Sequence, residues 1–279
     1  MRILRSDAVT GAVAEMCIRA NRYLPEDVRD CLAGHAARES FSAAREIFRQ
    51  LLENYELAAE SGLPLCQDTG AAIFFVEMGQ DLRIEGAPLS EAINAGVCEG
   101  YVRGRLRASM ADPFTRVNTG DNTPAILHLD MVPGESLRLS FLPKGGGSEN
   151  MSRVTMLSPA EGWEGIKKYV LRRVAEAGPN PCPPTIIGLG IGGTFDYAPI
   201  LAKKALLRRL GDTHPDPDLD AREKELLSEL NSLGIGPMGL GGRITTLDVK
   251  IATAPCHIAS LPLAVNVQCH CARHEEIVL

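Results

Sequence analysis

Pro64-Leu65-Cys66-Gln67-Asp68-Thr69-Gly70 marks the point where the chain changes its period. Upstream, Ala44, Ile47, Phe48, Leu51, Leu52 and Tyr55 recur at the i, i+3, i+4, i+7 spacing of a helix with one buried stripe. Pro25-Glu26-Asp27 opens an earlier helix, with proline at its first position and acids in its first turn. Residues 1–60 therefore read as helical. Downstream, Ala71–Glu77 is a short apolar strand and Ser90–Gly100 a helix. Ala125–Met131 and Leu137–Phe141 alternate apolar and polar residues on either side of Val132-Pro133-Gly134-Glu135, which predicts a β-hairpin. Ser158-Pro159-Ala160-Glu161 is a capping box, so a helix is expected from there towards Gly178. The last third predicts a strand at Thr185–Gly188, a glycine loop and a helix over Phe195–Leu210 stopped by Gly211. A surface loop (Gly211–Leu219), a helix (Ala221–Leu233), the glycine-rich loop Gly234–Gly242 and strands near Thr245–Thr253 and Leu261–Val267 follow. Helices first, then strands mixed with helices, predict an α+β fold: N-terminal helices followed by mixed or antiparallel sheets flanked by helices, divisible into two subdomains.

A chain of 279 residues buries roughly 75% of the surface its unfolded form exposes, enough for a self-supporting core. Its 23% charged and 45% hydrophobic residues are ordinary for a globular protein. No apolar run is long enough to span a membrane, and Met1-Arg2-Ile3-Leu4-Arg5-Ser6-Asp7 lacks the apolar stretch of a signal peptide. Eight cysteines without export signals point to a reducing cytoplasm and to thiol chemistry. A net charge of −6 argues against nucleic acid as a partner. An anionic ligand must then be drawn in by a local group of cations.

Cysteine in a core usually acts as a small hydrophobe. Cys66, beside Gln67 and Asp68, is poorly suited to that and well suited to a site where sulfur holds a metal. Cys182 lies in Asn180-Pro181-Cys182-Pro183-Pro184 and Cys269 in Asn266-Val267-Gln268-Cys269-His270, 116 and then 87 residues further on, so no zinc ribbon connects the three. Three distant thiolates converging on one point describe an iron–sulfur cluster with one iron left open. Each has a plainer reading: a strand-edge loop for Cys66, a stiff turn for Cys182, whose prolines would equally hold a ligand in place. Cys269 and Cys271 would face the same side of a strand, and spacing leaves either as the ligand. Cys17, Cys31 and Cys98 fall on helices and read as packing residues, and Cys256 as structural.

Gly188-Leu189-Gly190-Ile191-Gly192-Gly193 contains a GxGxxG match, but the acidic residue that would bind ribose about 20 residues later is replaced by the helix end Arg208-Arg209-Leu210-Gly211-Asp212. Close backbone approach is the preferred reading. Lys144-Gly145-Gly146-Gly147-Ser148 has the consecutive N–H groups of an anion cradle without Walker spacing. Arg103, Arg105 and Arg107 form the one concentrated cationic run, a solvated helix end for two of the three. His128 and His214 need no function.

In order, Cys66-Gln67-Asp68-Thr69-Gly70, Asn118-Thr119-Gly120-Asp121-Asn122, Pro143-Lys144-Gly145-Gly146-Gly147-Ser148-Glu149-Asn150, Ile191-Gly192-Gly193-Thr194, His257-Ile258-Ala259-Ser260 and Cys269 make up a series. From about Leu57 onwards the chain resembles the class I, iron–sulfur-dependent fumarate hydratase and tartrate dehydratase family, and in particular its α subunit, the equivalent of the N-terminal half of single-chain members. The resemblance implies one catalytic domain over 1–279 (helical 1–60, α+β 61–279) and reversible hydration of fumarate to (S)-malate. The alternatives are L(+)-tartrate dehydration to oxaloacetate and, more distantly, a non-catalytic binding module. It implies a 4Fe-4S cluster with Cys66, Cys182 and Cys269 as ligands. Asp68 and His257 are implied as catalytic residues, and Gln67, Arg107 and Gly146 as the binding site for a small dicarboxylate. It also implies a β subunit supplying the missing base, and an assembly in which α pairs with itself or forms α2β2. A zinc hydrolase with cysteine and histidine ligands is the rival outside the family.

Overall fold

The computed structural model describes residues 1–279. In chain order its main elements are β1 (Arg2–Arg5), α1 (Ser6–Arg22), α2 (Glu26–Arg38), α3 (Ser42–Ser61), β2 (Ala71–Gly79), β3 (Leu82–Glu85) and α4 (Leu89–Arg103). There follow β4 (Ile126–Val132), β5 (Leu137–Lys144), α5 (Gly146–Glu149), β6 (Arg153–Leu157), α6 (Gly162–Ala177) and β7 (Thr185–Gly192). The last elements are α7 (Tyr197–Ala205), α8 (Pro217–Asn231), β8 (Thr246–Ala254), β9 (Leu261–Gln268) and β10 (Glu275–Val278). The fold is α+β with mixed sheets, as expected. No helix is long and apolar enough to cross a membrane. The chain divides into two compact units, one made of 1–24, 55–146 and 273–279, the other of 25–54 and 147–272.

The first unit is built on a four-stranded sheet of order β10-β5-β2-β4. Helices α1 and α4 bury Val9, Val13, Ile93, Val97 and Tyr101 in one cluster with Phe74 and Phe141 of the sheet. Phe74 and Phe141 stack with ring centroids 4.8 Å apart. The expected hairpin of β4 with β5 is corrected here. Strand β2 lies between them, parallel to β4 and antiparallel to β5. Strand β2 is buried along most of its length whereas β4 is largely exposed, so the apolar strand takes the inner place and β4 the edge. The connection from Val132 to Ser136 wraps over the end of β2, accepting N–H bonds from Gly79, Gln80 and Asp81 at 2.8–2.9 Å. Gly79 permits this, because a Cβ there would stand 2.3 Å from the carbonyl oxygen of Gly134.

The second unit carries the sheet β6-β9-β7-β8, with β7 parallel to β8 and antiparallel to β9. Strand β7 runs through Gly188, Gly190 and Gly192, so the expected glycine loop is corrected to strand, and the helix after it is shorter, spanning Tyr197–Ala205. The two-residue period explains why. Ile187 and Leu189 pack with Ile166 and Val170 of α6 and Leu226 and Leu230 of α8. Gly188 and Gly190 face α7, where a Cβ would stand 2.2 Å from the carbonyl oxygen of Ala202 and 1.9 Å from that of Ala198. The glycines let a helix lie directly on the strand. The capping box at Ser158 and Glu161 forms with both of its bonds and leads through a single 3₁₀ turn into α6.

Candidate active site

The loop that carries Cys66 is fastened at both ends. Gly62, at φ +68°, closes α3, and the Leu65 N–H donates to the carbonyl of Asn21 in α1 at 2.8 Å. Cys66 and Asp68 are half-buried, Gln67 is exposed, and Thr69 and Gly70 are buried. Both carboxylate oxygens of Asp68 accept backbone bonds: Oδ1 from Gly70 N–H at 3.0 Å and Oδ2 from Gly146 N–H at 2.8 Å. The buried Arg273 guanidinium donates to the Asp68 carbonyl. A Cβ on Gly145 would lie 3.1 Å from Asp68 Oδ2, so a side chain there would push the carboxylate back by a few tenths of an ångström. The Gly146 N–H, expected to meet a substrate, donates to Asp68 in this structure.

Arg107 is placed by the end of α4. Arg105 takes φ +53°, its N–H donates to the Val102 carbonyl at 3.1 Å, and the Leu106 N–H donates to Tyr101 at 2.9 Å. This pair of bonds is the Schellman ending of a helix, and the buried Leu106 supplies its apolar contact. Of the three arginines, Arg103 is engaged with Glu99 at 2.9 Å and with Glu15, leaving Arg105 and Arg107 exposed. The Arg107 carbonyl accepts from Thr69 Oγ1 at 2.8 Å. The fully buried Asn122 accepts from Ser109 N–H at 2.7 Å and donates to the Gly70 carbonyl at 3.0 Å. The Tyr101 hydroxyl lies 2.9 Å and 3.0 Å from the carbonyls of Thr69 and Gly70, and burial first of all pushes its pKa well up. Cys66, Gln67, Asp68, Arg107 and Gly146 thus belong to one bonded framework in the first unit.

In the second unit Cys182 is exposed and takes φ +54°, a conformation that costs a non-glycine residue about 1 kcal/mol or more. Its N–H donates to the Pro179 carbonyl at 3.0 Å, and its carbonyl accepts from the His270 N–H at 3.5 Å. The Cys182 turn and the residue after Cys269 are therefore joined backbone to backbone. Cys269 and Cys271 both lie beyond the end of β9, in irregular chain, Cys269 half-buried and Cys271 buried. The buried Gln268 amide donates towards Cys269 Sγ at 3.5 Å and to the Cys271 carbonyl at 3.4 Å. His257 is exposed in the loop between β8 and β9, where its Nδ1 accepts from Ala259 N–H at 3.1 Å and leaves Nε2 to carry the ring proton. Beside it a cavity of ≈ 400 Å³ is walled by Trp163, Ile166, Ile191, Leu219 and Leu261.

None of the eight cysteines forms a disulfide. No group of three or more Cys, His, Asp or Glu side chains is gathered as a metal site. Cys66 belongs to the first unit, and Cys182 and Cys269 to the second, so the expected meeting of three thiols is not a property of either unit alone. Asn122, Thr69, Tyr101, Arg273 and Gln268 escaped the sequence reading as site residues. A buried polar side chain leaves a trace only when its distant partner is known, although Asn122 does lie inside one of the unusual motifs.

A sequence profile of the family described as Fumarate hydratase (Fumerase) matches residues 10–278. The chain belongs to the fumarate hydratase family. As a member it is a hydro-lyase polypeptide. Among relatives similar to this fumarate hydratase family chain is a Methanocaldococcus jannaschii protein provisionally named L(+)-tartrate dehydratase subunit alpha, 44% identical over 267 residues covering 94% of each chain. Two proteins named L(+)-tartrate dehydratase subunit alpha are similar at greater distance. That of Escherichia coli strain UTI89 is 34% identical, covering 94% of this chain and 87% of its own. That of strain K12 is 32% identical, covering 97% and 90%.

Proposed function

We propose that this chain is the α subunit of an iron–sulfur hydro-lyase that reversibly hydrates fumarate to (S)-malate, with 1–279 acting as one catalytic domain in the reducing cytoplasm. The observation that carries the reading is Asp68. In a chain of this family, a carboxylate next to a framed cysteine is held by two backbone N–H groups at 2.8 and 3.0 Å. A second reading, dehydration of L(+)-tartrate to oxaloacetate, is favoured by the names of the relatives. The words 'subunit alpha' in those names support a separate partner, read here as a β subunit, in an assembly where α pairs with itself or forms α2β2.

Cys66, Cys182 and Cys269 would hold a 4Fe-4S cluster, and the donor set fits it: all three thiols stand in irregular chain outside the core, and Gln268 offers a donor to the sulfur of Cys269. When bound, such a cluster supplies Lewis-acid polarisation of a substrate hydroxyl and carboxylate through its open iron. Arg107 clamps a substrate carboxylate through two parallel hydrogen bonds, and Gln67 orients the rest of the dicarboxylate. In the dehydration direction Asp68 gives the departing hydroxyl its proton, making water, and in hydration it takes that proton back. Gly146 lines the substrate site and keeps Asp68 aimed. His257, with Nε2–H exposed, supplies a second hydrogen-bonding group for the same proton path. The proton on carbon goes to a base of the β subunit.

The deciding experiment is anaerobic assay of the α–β complex against fumarate, malate and L(+)-tartrate, with iron and labile-sulfide analysis of Cys→Ser variants. Turnover of one of these pairs is expected, with cluster loss for Cys66→Ser, Cys182→Ser and Cys269→Ser but not for Cys17→Ser. Zinc without sulfide, or full cluster loading of Cys182→Ser, would overturn the assignment.

A further inference from the structure

We infer that Asn122 is a positioning residue that locks the Arg107–Ser109 segment to the loop carrying Cys66, Gln67 and Asp68, and so sets the distance between the clamp for the substrate carboxylate and the proton donor. The inference rests on the hydratase reading above, in which Arg107 binds that carboxylate.

Asn122 is fully buried, and both ends of its amide are used. Oδ1 accepts from Ser109 N–H at 2.7 Å, two residues beyond Arg107, and Nδ2 donates to the Gly70 carbonyl at 3.0 Å, two residues beyond Asp68. Gly70 in turn donates its N–H to Asp68 Oδ1 at 3.0 Å. One amide thus joins the two segments in series. Thr69 adds a second tie, with its hydroxyl donating to the Arg107 carbonyl at 2.8 Å. The residue type follows from three demands met at once. The position has φ +64°, which Asn tolerates better than most side chains. Glycine would meet that demand and make neither bond. Aspartate would keep the bond from Ser109 but set an acceptor against the Gly70 carbonyl. The Arg107 side chain itself is exposed, so what these bonds fix is the backbone position from which it reaches.

The test uses the α–β complex with Asn122→Gly, which keeps the backbone conformation and removes both bonds, and Thr69→Val, which removes only the second tie and is near-isosteric. Each lost bond should raise KM for the dicarboxylate by about 3- to 10-fold, with kcat changed by less than about 3-fold and iron content per chain unaltered. Because Asn122 acts through Arg107, its replacement in an Arg107→Ala background should raise KM by less than about 2-fold further. A residue that merely supports the fold would show the same increment in both backgrounds, together with lost iron. The inference is overturned if the unmodified complex is active and both variants keep KM within about 2-fold of it, or if the increment persists without Arg107. An unmodified complex inert towards fumarate, malate and tartrate overturns the hydratase reading instead, a result seen before any variant is made.

Discussion

At Gly145 a Cβ would stand 3.1 Å from a carboxylate oxygen of Asp68; at Gly190 it would stand 1.9 Å from the carbonyl oxygen of Ala198. Both glycines belong to runs that read alike as sequence, Lys144-Gly145-Gly146-Gly147 and Gly188-Leu189-Gly190-Ile191-Gly192. The first follows a strand and brings a polar side chain against the backbone N–H of Gly146. The second lies inside a strand and brings a whole helix against it. The clash at Gly145 is with the end of a side chain, which can move, and the clash at Gly190 is with helix backbone, which can move only if α7 does. A glycine run therefore acquires its meaning from what approaches it: a functional group in one case, a packing layer in the other.

This contrast can be broken at three positions. Gly190→Ala should cost about 3 kcal/mol or more, at the upper end of overpacking effects, because the added methyl meets backbone in a close-packed layer. Urea unfolding measures it, and a midpoint unchanged from the parent protein would show that α7 is not pressed on β7. Gly145→Ala should leave the unfolding free energy within about 1 kcal/mol of the parent, yet slow hydratase turnover by about tenfold or more, since it displaces Asp68 rather than a helix. If stability falls and turnover does not, the functional reading of the first run is wrong. The smallest effect belongs to Gly11, in the interior of α1 with nothing within 4 Å of a Cβ. Gly11→Ala should stabilise the chain by about 0.5–1 kcal/mol through helix propensity alone. Thermal unfolding that shows a loss there would reveal a contact that the open space around Gly11 excludes.

Arg107 and Asn122 show how far the site was legible. The concentrated run Arg103, Arg105, Arg107 was visible as charge, and the ion pairs of Arg103 then removed one member from consideration. Asn122 carried no visible signal of its role, because its partners, Ser109 and Gly70, lie 13 and 52 residues away. The same distance effect governs the thiols. Their loop settings could be read from neighbouring proline, glycine and amide residues, whereas the bond from His270 to the Cys182 carbonyl joins positions that no local pattern relates.

By itself the sequence determined the features whose causes are local. The apolar stripe from Ala44 to Tyr55 lies in α3, Pro25-Glu26-Asp27 opens α2, and Ser158 with Glu161 closes a capping box, because helix period and first-turn bonding are set by residues a few positions apart. Tertiary structure alone decided that β2 enters between β4 and β5, and that Gly188 to Gly192 is strand. Alternation is the same in a hairpin strand and in an edge strand, and the competition for the inner place is settled by which strand buries more apolar surface. It also decided that Gly146 meets Asp68 and that Asn122 joins Gly70 to the Arg107 segment, since hydrogen bonds closing loops of ten to eighty residues form only once the rest of the fold has brought their ends together.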